Sequence, residues 1–555
     1  MNLTDEQFSR FFPFDYPRHD QREVIEKILT AFNSGKRHVI LSAPTGSGKS
    51  VIAVTVANAL RDRNFSFHSE IITSQKCLQE QYFHDLNIPI VYGKSNYTCK
   101  LSPVLNCECG VCGGRKQKAC NDCPYTLAIS AARNASICST NYAFFLQRNK
   151  FYAASNSLYA DFIVFDECHN LEQEILQMCT FKITDERLQY LGYNTKGYIP
   201  VHGTSEENLI AWLNDVKAGL KIEIVKVGHL LQKIDIFNSL SKNGKISPNE
   251  LREHKKVHAR LKGIVSYINQ ISLLLEQYQE GNRFIATFGN KEIEFKLLHG
   301  SSLFQKYVSN SAVCFLHMSA TILSKEQHCK NLGIDLDDAE YISCESRFPL
   351  YNRPVFYNPI GSMAFKDKRN TIPKMVKRVD EILTQYKNDK GIIHTISYEL
   401  TEAMIAGISN KNNWRILVPR PGNRQEVLNH FYTSDEPLVL MSPSLTEGLD
   451  LKDDLSRFCI VCKMPFANTN DQWIKERQQE DQMWYAANTC TVLMQMTGRV
   501  VRSEKDIAST YILDSCFNFL VSKYGNLFPK WWQESVFSIE DENVIKEKQQ
   551  EQQEH

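Results

Sequence analysis

Short apolar runs bounded by polar residues alternate with stretches of helical spacing over the first third of the chain. Residues 37–44, RHVILSAP, carry the pattern of a buried strand. A glycine-rich turn follows, and residues 49–63, KSVIAVTVANALRDR, continue with apolar positions at helical intervals. HSEIITSQ and ADFIVFDE repeat the strand pattern. Alternation of this kind predicts a parallel sheet with helices on its faces.

From about residue 181 to 300 the pattern changes to long helices. Thr204–Glu207 and Ser247–Glu250 both match a capping box, the second with Pro248 at the first helical position. Leu209, Leu213, Val216 and Leu220 form one apolar stripe; Val257, Leu261, Ile264, Ile268 and Leu275 form another. Two such stripes predict a helical insertion packed upon itself. RFIATFGNKEIEFKL then reads as a hairpin turning near Gly289-Asn290. Strand-helix alternation resumes with AVCFLHMSAT and, beyond a linker expected around residues 340–360, with GIIHTIS, LVLMSPS and FCIVCKMP. A second α/β unit is the natural reading. The closing KEKQQEQQEH is polar and low in complexity, so it is expected to fray.

Composition narrows the class. At 555 residues the chain suits about three to four domain-sized units. Hydrophobic residues at 43% and charged residues at 23% are globular values and exclude wholesale disorder. No apolar run approaches the roughly 18–20 residues that cross a bilayer, and MNLTDEQFSRFF lacks the basic-then-apolar order of a secretory signal. The expectation is therefore a cytoplasmic (or nucleoid-associated) protein with no membrane partner. A net charge of +1 gives no global pull on nucleic acid, which leaves a local basic groove as the route to one. The 17 cysteines, odd in number, fit reduced thiols better than a disulfide framework. Six of them fall between Cys99 and Cys123, where random scatter would put about one, and that density asks for a metal.

APTGSGKS, Ala43–Ser50, lies between a predicted strand and a predicted helix, the context a phosphate loop needs. Thr45, Gly46, Ser47 and Gly48 would curl backbone N–H groups around phosphate oxygens, aided by the helix dipole. Lys49 would reach the β/γ-phosphates and Ser50 would ligate Mg²⁺. Downstream, FIVFDECHN ends a strand in Asp166-Glu167-Cys168-His169. Asp166 would hold the hydrated Mg²⁺ of ATP, Glu167 would polarise an attacking water, and His169 suits a relay of nucleotide state better than direct chemistry.

APTGSGKS, DECH, MSAT (Met318–Thr321), SPSLTEGLD (Ser442–Asp450) and QMTGRVVR (Gln495–Arg502) stand in one order along the chain. Together they resemble the superfamily-two helicases, and within them the XPD/DinG group. YPRHDQ ahead of the loop, YGKSNYTC leading into the cysteines and CPY closing them select that group, as does a helical insertion between DECH and MSAT. The resemblance implies an ATP-dependent DNA helicase built on two RecA-like parallel-sheet motor domains. The first would be interrupted by a small Cys-rich metal segment and a helical, arch-like insertion. It would comprise residues 1–95, 125–180 and 300–345, with the Cys-rich segment at 96–124 and the insertion at 181–299. The second motor domain would span 346–540 and a polar tail 541–555.

The resemblance also implies roles. Arg18 and Gln21 would recognise adenine. Arg499 and Arg502 would act as arginine fingers, and Gln495, Gly448 and Asp450 would line the interdomain cleft. Thr73, Ser74, Gln75, Thr395, Ser397 and Thr446 would touch a nucleic-acid backbone, with Ser319 and Thr321 coupling hydrolysis to domain movement. Single-stranded and forked DNA would be the partners of a monomer moving 5′ to 3′. The same motifs would serve an ATPase that remodels nucleoprotein without unwinding. For the cysteines, spacing alone suits tetrahedral zinc at Cys109-x2-Cys112 and Cys120-x2-Cys123. The resemblance suggests instead a [4Fe–4S] cluster on Cys99 and Cys123. Its middle ligands would come from Cys107, Cys109, Cys112 and Cys120; Cys112 and Cys120 are the pair chosen. Tyr97 and Tyr142 could stack on bases or simply pack.

Overall fold

In His38–Ser42 (β1), Val39 and Leu41 face one side of the sheet and Ile40 the other, and none of the three is exposed. A strand of this kind needs a helical layer over each face, which the flanking amphipathic segments supply. The computed structural model describes residues 3–18, 20–62, 66–110, 122–152, 160–195, 198–234, 247–444, 451, 453–498, 501 and 506–553. Further strands of the first half are β2 (Ser69–Thr73), β3 (Ile137–Asn141), β4 (Phe162–Asp166), β5 (Phe181–Thr184), β6 (Phe284–Gly289), β7 (Glu292–Leu297), β8 (Cys314–Ser319) and β9 (Ala339–Ser343). The first sheet is wholly parallel in the order β3-β2-β4-β8-β1-β9. Register sets Ser42 beside Ser319 and Asp166 beside Met318, so the loops after β1, β4 and β8 emerge at one sheet edge. Ligands of open parallel sheets bind at that carboxyl end.

The second sheet is also all parallel, with seven strands. Across it run Ile416–Leu417, Val439–Ser442, Gly391–His394, Phe458–Val461, Ser509–Asp514, Val355–Gly361 and Val536–Ser538. The chain is thus an α/β protein of two RecA-like halves. Among the described residues no helix is long and apolar enough to cross a membrane.

The insertion contains the two expected helices, Glu206–Lys233 and Pro248–Gln279, and Leu213, Val216, Leu220 and Ile264 of the two stripes are fully buried. Ser247 and Glu250 form the reciprocal cap read from sequence. The first cap is displaced by one residue: Ser205, not Thr204, accepts from Asn208 N. Thr204 Oγ1 donates to the Val201 carbonyl instead and so closes the turn before the helix. The hairpin forms as β6 and β7, and β5 adds to β7 as a third antiparallel strand.

Two expectations are corrected. Residues 340–360 are not one linker. β9 closes the edge of the first sheet beside β1, and Val355–Gly361 pairs within the second. The polar end is helical from Glu542 to Gln553 and docked. Ile545 is buried, Glu542 Oε1 accepts from the Tyr511 hydroxyl, and Gln549 Nε2 donates to the Tyr351 carbonyl.

The two halves meet at a buried ion pair. Arg477 Nη2 lies 2.7 Å from Glu172 Oε1, with side chains only 2% and 7% exposed. Trp484 Nε1 donates to the other Glu172 oxygen at 3.3 Å, and Lys330 reaches Asp481 at 2.6 Å beside it. Arg477→Ala would leave Glu172 buried without its cation, at an expected cost of about 3–5 kcal/mol. Calorimetry should then show an earlier, split transition as the halves part. An unshifted single melt would mean that the pair does not hold them.

Candidate functional site

The loop Ala43–Gly48 joins β1 to the helix Lys49–Arg61. Gly46 and Gly48 have φ of 80° and 78°, the left-handed region. At Gly48 the reason is steric as well, because a Cβ there would stand 2.2 Å from Gln21 Nε2. That amide donates to the Ser47 carbonyl at 3.1 Å, and Arg18 Nη1 donates to the Gly46 carbonyl. Arg18 and Gln21 therefore brace the loop from behind. Lys49 Nζ donates to the Ala43 carbonyl, and Ser50 opens the helix beside it.

Asp166 ends β4, and Glu167 follows in a left-handed conformation, φ 52°. This turns the two carboxylates apart. Asp166 is buried; its Oδ2 accepts from the Tyr82 hydroxyl at 3.1 Å and its Oδ1 from Glu167 N at 3.0 Å. The Tyr82 hydroxyl also meets Ser50, so one phenol links the two groups expected to share a metal ion. Tyr142 OH donates to the Asp166 carbonyl at 3.0 Å. Burial, then the neighbouring Glu167 charge, raises the Asp166 carboxyl. Burial would raise Glu167 too, but hydrogen bonding to His169 and the charge of Lys49 outweigh it and hold Glu167 low.

A hydrogen-bonded chain crosses from the second half to these carboxylates. Gln495 Nε2 donates to His169 Nε2 at 2.6 Å. His169 Nδ1 donates to Ser319 Oγ at 2.8 Å, and Ser319 Oγ to Glu167 Oε2 at 3.3 Å. Thr321 N in turn donates to Ser319 Oγ at 3.2 Å. Arg18, Gln21, Thr45–Ser50, Asp166, Glu167 and Gln495 are thus gathered around one edge of the first sheet. Gly448, Asp450, Arg499 and Arg502, along with Thr446, lie outside the described residues.

Tyr82 is the residue that sequence reasoning missed, because nothing local marks it. Tyr142, offered as a base-stacking group, is buried and stacked on Phe165, so packing is its role. Thr73 and Thr395 are likewise buried; Thr395 pairs with Thr401 Oγ1 at 2.6 Å, and Ser397 caps the helix Tyr398–Gly407. Ser74 and Gln75 remain partly exposed.

In the Cys-rich segment a bridge between Thr98 and Asn106 folds Cys99 and Cys107 towards each other. Cys107 Sγ stands 3.8 Å from Cys123 Sγ. Cys123 precedes the helix Pro124–Asn134. Burial would raise its thiol, but the Thr126 N–H and hydroxyl outweigh it and favour the thiolate. Burial, then Cys123, pushes the Cys107 thiol up to about 11. Cys107 and Cys123 are thus brought together, while Cys99 is buried against Leu105. Cys112 and Cys120 lie outside the described residues, and Cys109 Sγ donates to Asn106 Oδ1 at 3.2 Å. A close thiol pair of this kind suits a thiophilic metal.

The type III restriction enzyme res subunit model matches residues 15–191, and the helicase C-terminal domain model matches residues 381–535. The chain is similar to the ATP-dependent DNA helicase CHL1 of Saccharomyces cerevisiae strain YJM789. They are 20% identical over 499 aligned residues, covering 76% of this chain and 57% of that protein. It is similar also to the ATP-dependent DNA helicase DinG of Photobacterium profundum, 24% identical over 215 residues, 36% of this chain and 31% of that one. A solved structure named XPD_Helicase matches with a TM-score of 0.62 at 17% identity, over 95% of this chain and all of that one. The chain spans about three-fifths of the length of the CHL1 proteins it matches. The two parallel-sheet halves have the fold of the XPD structure. In sequence the chain is similar to the CHL1 and DinG DNA helicases.

Tyr82→Phe removes the hydroxyl that links Ser50 to Asp166, a bond to a charged group worth about 1.5–3 kcal/mol. The Mg²⁺ concentration for half-maximal ATP turnover should rise roughly tenfold or more, with the melt little changed. An unchanged Mg²⁺ requirement would separate Tyr82 from the site.

Proposed function

We propose that the chain is an ATP-dependent DNA helicase that moves 5′ to 3′ along single-stranded DNA and parts the duplex ahead. The observation that supports it best is the chain from Gln495 through His169 and Ser319 to Glu167. A group that senses the γ-phosphate is thereby bonded to the other half of the motor. In this reading Lys49 neutralises the β/γ-phosphates, while Ser50 and Asp166 hold Mg²⁺. Glu167, kept ionised, takes the proton of the attacking water as it adds to phosphorus. Arg499 and Arg502 stabilise the charge on the transferring phosphoryl group. Arg18 and Gln21 carry adenine contacts to the loop they brace. As the phosphate leaves, Glu167 loses its partner, and the change passes through Ser319 and His169 to Gln495.

Cys99 and Cys123, with two of Cys107, Cys109, Cys112 and Cys120, would hold a [4Fe–4S] cluster, with zinc as the alternative occupant. Such a centre supplies a rigid crosslink at the root of the helix Pro124–Asn134. Forked DNA with a single-stranded 5′ tail is the substrate this reading requires, engaged by a monomer.

Strand displacement on duplexes with a 5′ or a 3′ tail tests the motor. Unwinding of the 5′-tailed duplex alone, abolished in Lys49→Ala, is expected. Opening of only the 3′-tailed duplex would refute the polarity. ATP hydrolysis without any opening would favour a nucleoprotein-remodelling ATPase. Cys123→Ser separates the metals: anaerobically purified protein should lose its absorbance near about 400 nm with iron–sulfur, and show no visible change with zinc.

A further inference from the structure

The turn after the two carboxylates buries a thiol that the nucleotide chemistry does not use. Cys168 is 1% exposed, and its sulfur points towards His317, in the middle of β8, and His328, on the helix Lys325–Leu332. One ligand atom from each of the three lies within 4.8 Å of the others. His317 Nδ1 and His328 Nε2 are 3.1 Å apart. We propose that Cys168, His317 and His328 form a binding site for a divalent cation of the zinc class, separate from the Cys-rich segment.

The donor set is the thiolate-imidazole mixture that zinc prefers. Tetrahedral zinc holds two imidazole nitrogens about 3.3 Å apart and a thiolate about 3.6 Å from each. The nitrogens already stand close to that spacing, and the sulfur has to approach by at most about 1.2 Å. The far side of His317 is prepared as well. Its Nε2 lies 3.0 Å from His38 Nδ1, so a His317 that ligates through Nδ1 donates its remaining N–H to His38. His38 is fixed in turn by stacking on Phe315, with centroids 4.8 Å apart and planes 8° from parallel. An orienting partner of this kind is what metal-bound histidines use to fix tautomer and ring plane.

Asp166 and Glu167 lie immediately before Cys168, so two carboxylates stand beside the three donors. A bound divalent ion takes the cysteine as its thiolate. Access comes from the cleft between the halves, about 90 Å³, which His328 lines with His169, Thr321, Asn331, Trp484 and Thr491. A water from that cleft completes the fourth position. The ion pins together the DECH turn, the strand ahead of Ser319 and the helix beyond Thr321. The first two of these elements carry Glu167, His169 and Ser319 of the chain that reaches Gln495.

The test is cobalt loading of the full-length protein after dialysis against a chelator, compared among wild type, Cys168→Ala, His328→Ala and the double variant Cys107→Ser/Cys123→Ser. Wild type should hold one more equivalent of Co²⁺ than Cys168→Ala or His328→Ala. The double variant should keep that equivalent, with a spectrum of one thiolate and nitrogen ligands. Co²⁺ should also raise the melting midpoint of the double variant. Equal cobalt content in wild type, Cys168→Ala and His328→Ala would overturn the proposal and leave a hydrogen-bonded row of imidazoles. If Cys168→Ala does not fold, His328→Ala decides alone, since its side chain lies at the cleft rather than in the core.

Discussion

A carboxylate almost out of reach of water, at the end of a strand with no exposed residue, sets the terms for everything around it. Asp166 cannot stay charged there without donors, since an uncompensated buried charge costs several kcal/mol. Lys49 brings its charge from the helix after β1, and Tyr82 supplies a hydroxyl from the helix after β2. Tyr142, from the helix after β3, fixes the Asp166 carbonyl and with it the turn. The helices after β1, β2 and β3 thus converge on one residue, two on its carboxyl group and one on its backbone carbonyl. Glu167 cannot follow Asp166 into that pocket. Its left-handed backbone, uncommon outside glycine and asparagine, swings it towards Ser319 and His169. Two adjacent carboxylates thereby acquire different environments, one suited to a cation and one to a water molecule.

The contacts between the halves differ in kind, and the difference matters for a motor. At the nucleotide edge they are neutral hydrogen bonds, Gln495 to His169 and Thr491 Oγ1 to the Thr321 carbonyl at 3.3 Å. Each is worth about 1 kcal/mol and is readily remade. On neighbouring helices, Gln472–Glu480 and Leu171–Gln177, sit Arg477 and Glu172, desolvated and capped by Trp484. That pair is costly to break by halves, whereas the neutral bonds at the edge of the first sheet are cheap to exchange. Trp473 Nε1 donating to the Leu297 carbonyl ties the helix of Arg477 to β7, and so to the antiparallel sheet at the root of the insertion.

Local signals were legible in the sequence. APTGSGKS and DECH identify themselves because residue type and spacing within a few positions are the chemistry, and β1, β4 and β8 each carry a run of buried apolar residues. What was hidden depends on tertiary contact. Tyr82 lies 84 residues from Asp166 and reads as an ordinary helix residue. β9 alternates weakly because it is an edge strand with one buried face, so it passed for linker. The terminal helix has one buried apolar anchor, Ile545, too little for a periodicity to show. Thr204 and Ser205 are both good caps, and only the Val201 carbonyl decides between them. Among six cysteines, spacing could not rank Cys107. The fold sets its Sγ 3.8 Å from that of Cys123.

The Cys-rich segment is too short to carry a core of its own. Its apolar centre, Cys99 and Leu105, is completed by Ile234 and Leu251, borrowed from the two long helices of the insertion. His254 Nε2 donates to the Cys109 carbonyl at 3.1 Å, and Lys262 pairs with Glu108 at 2.8 Å, so polar contacts extend the seam along one helix. Loop and insertion are therefore packed as one unit although 145 residues separate Cys109 from His254. The loop that carries Cys107 and Cys123 thus takes its apolar and polar support from the insertion, not from the sheet beneath it.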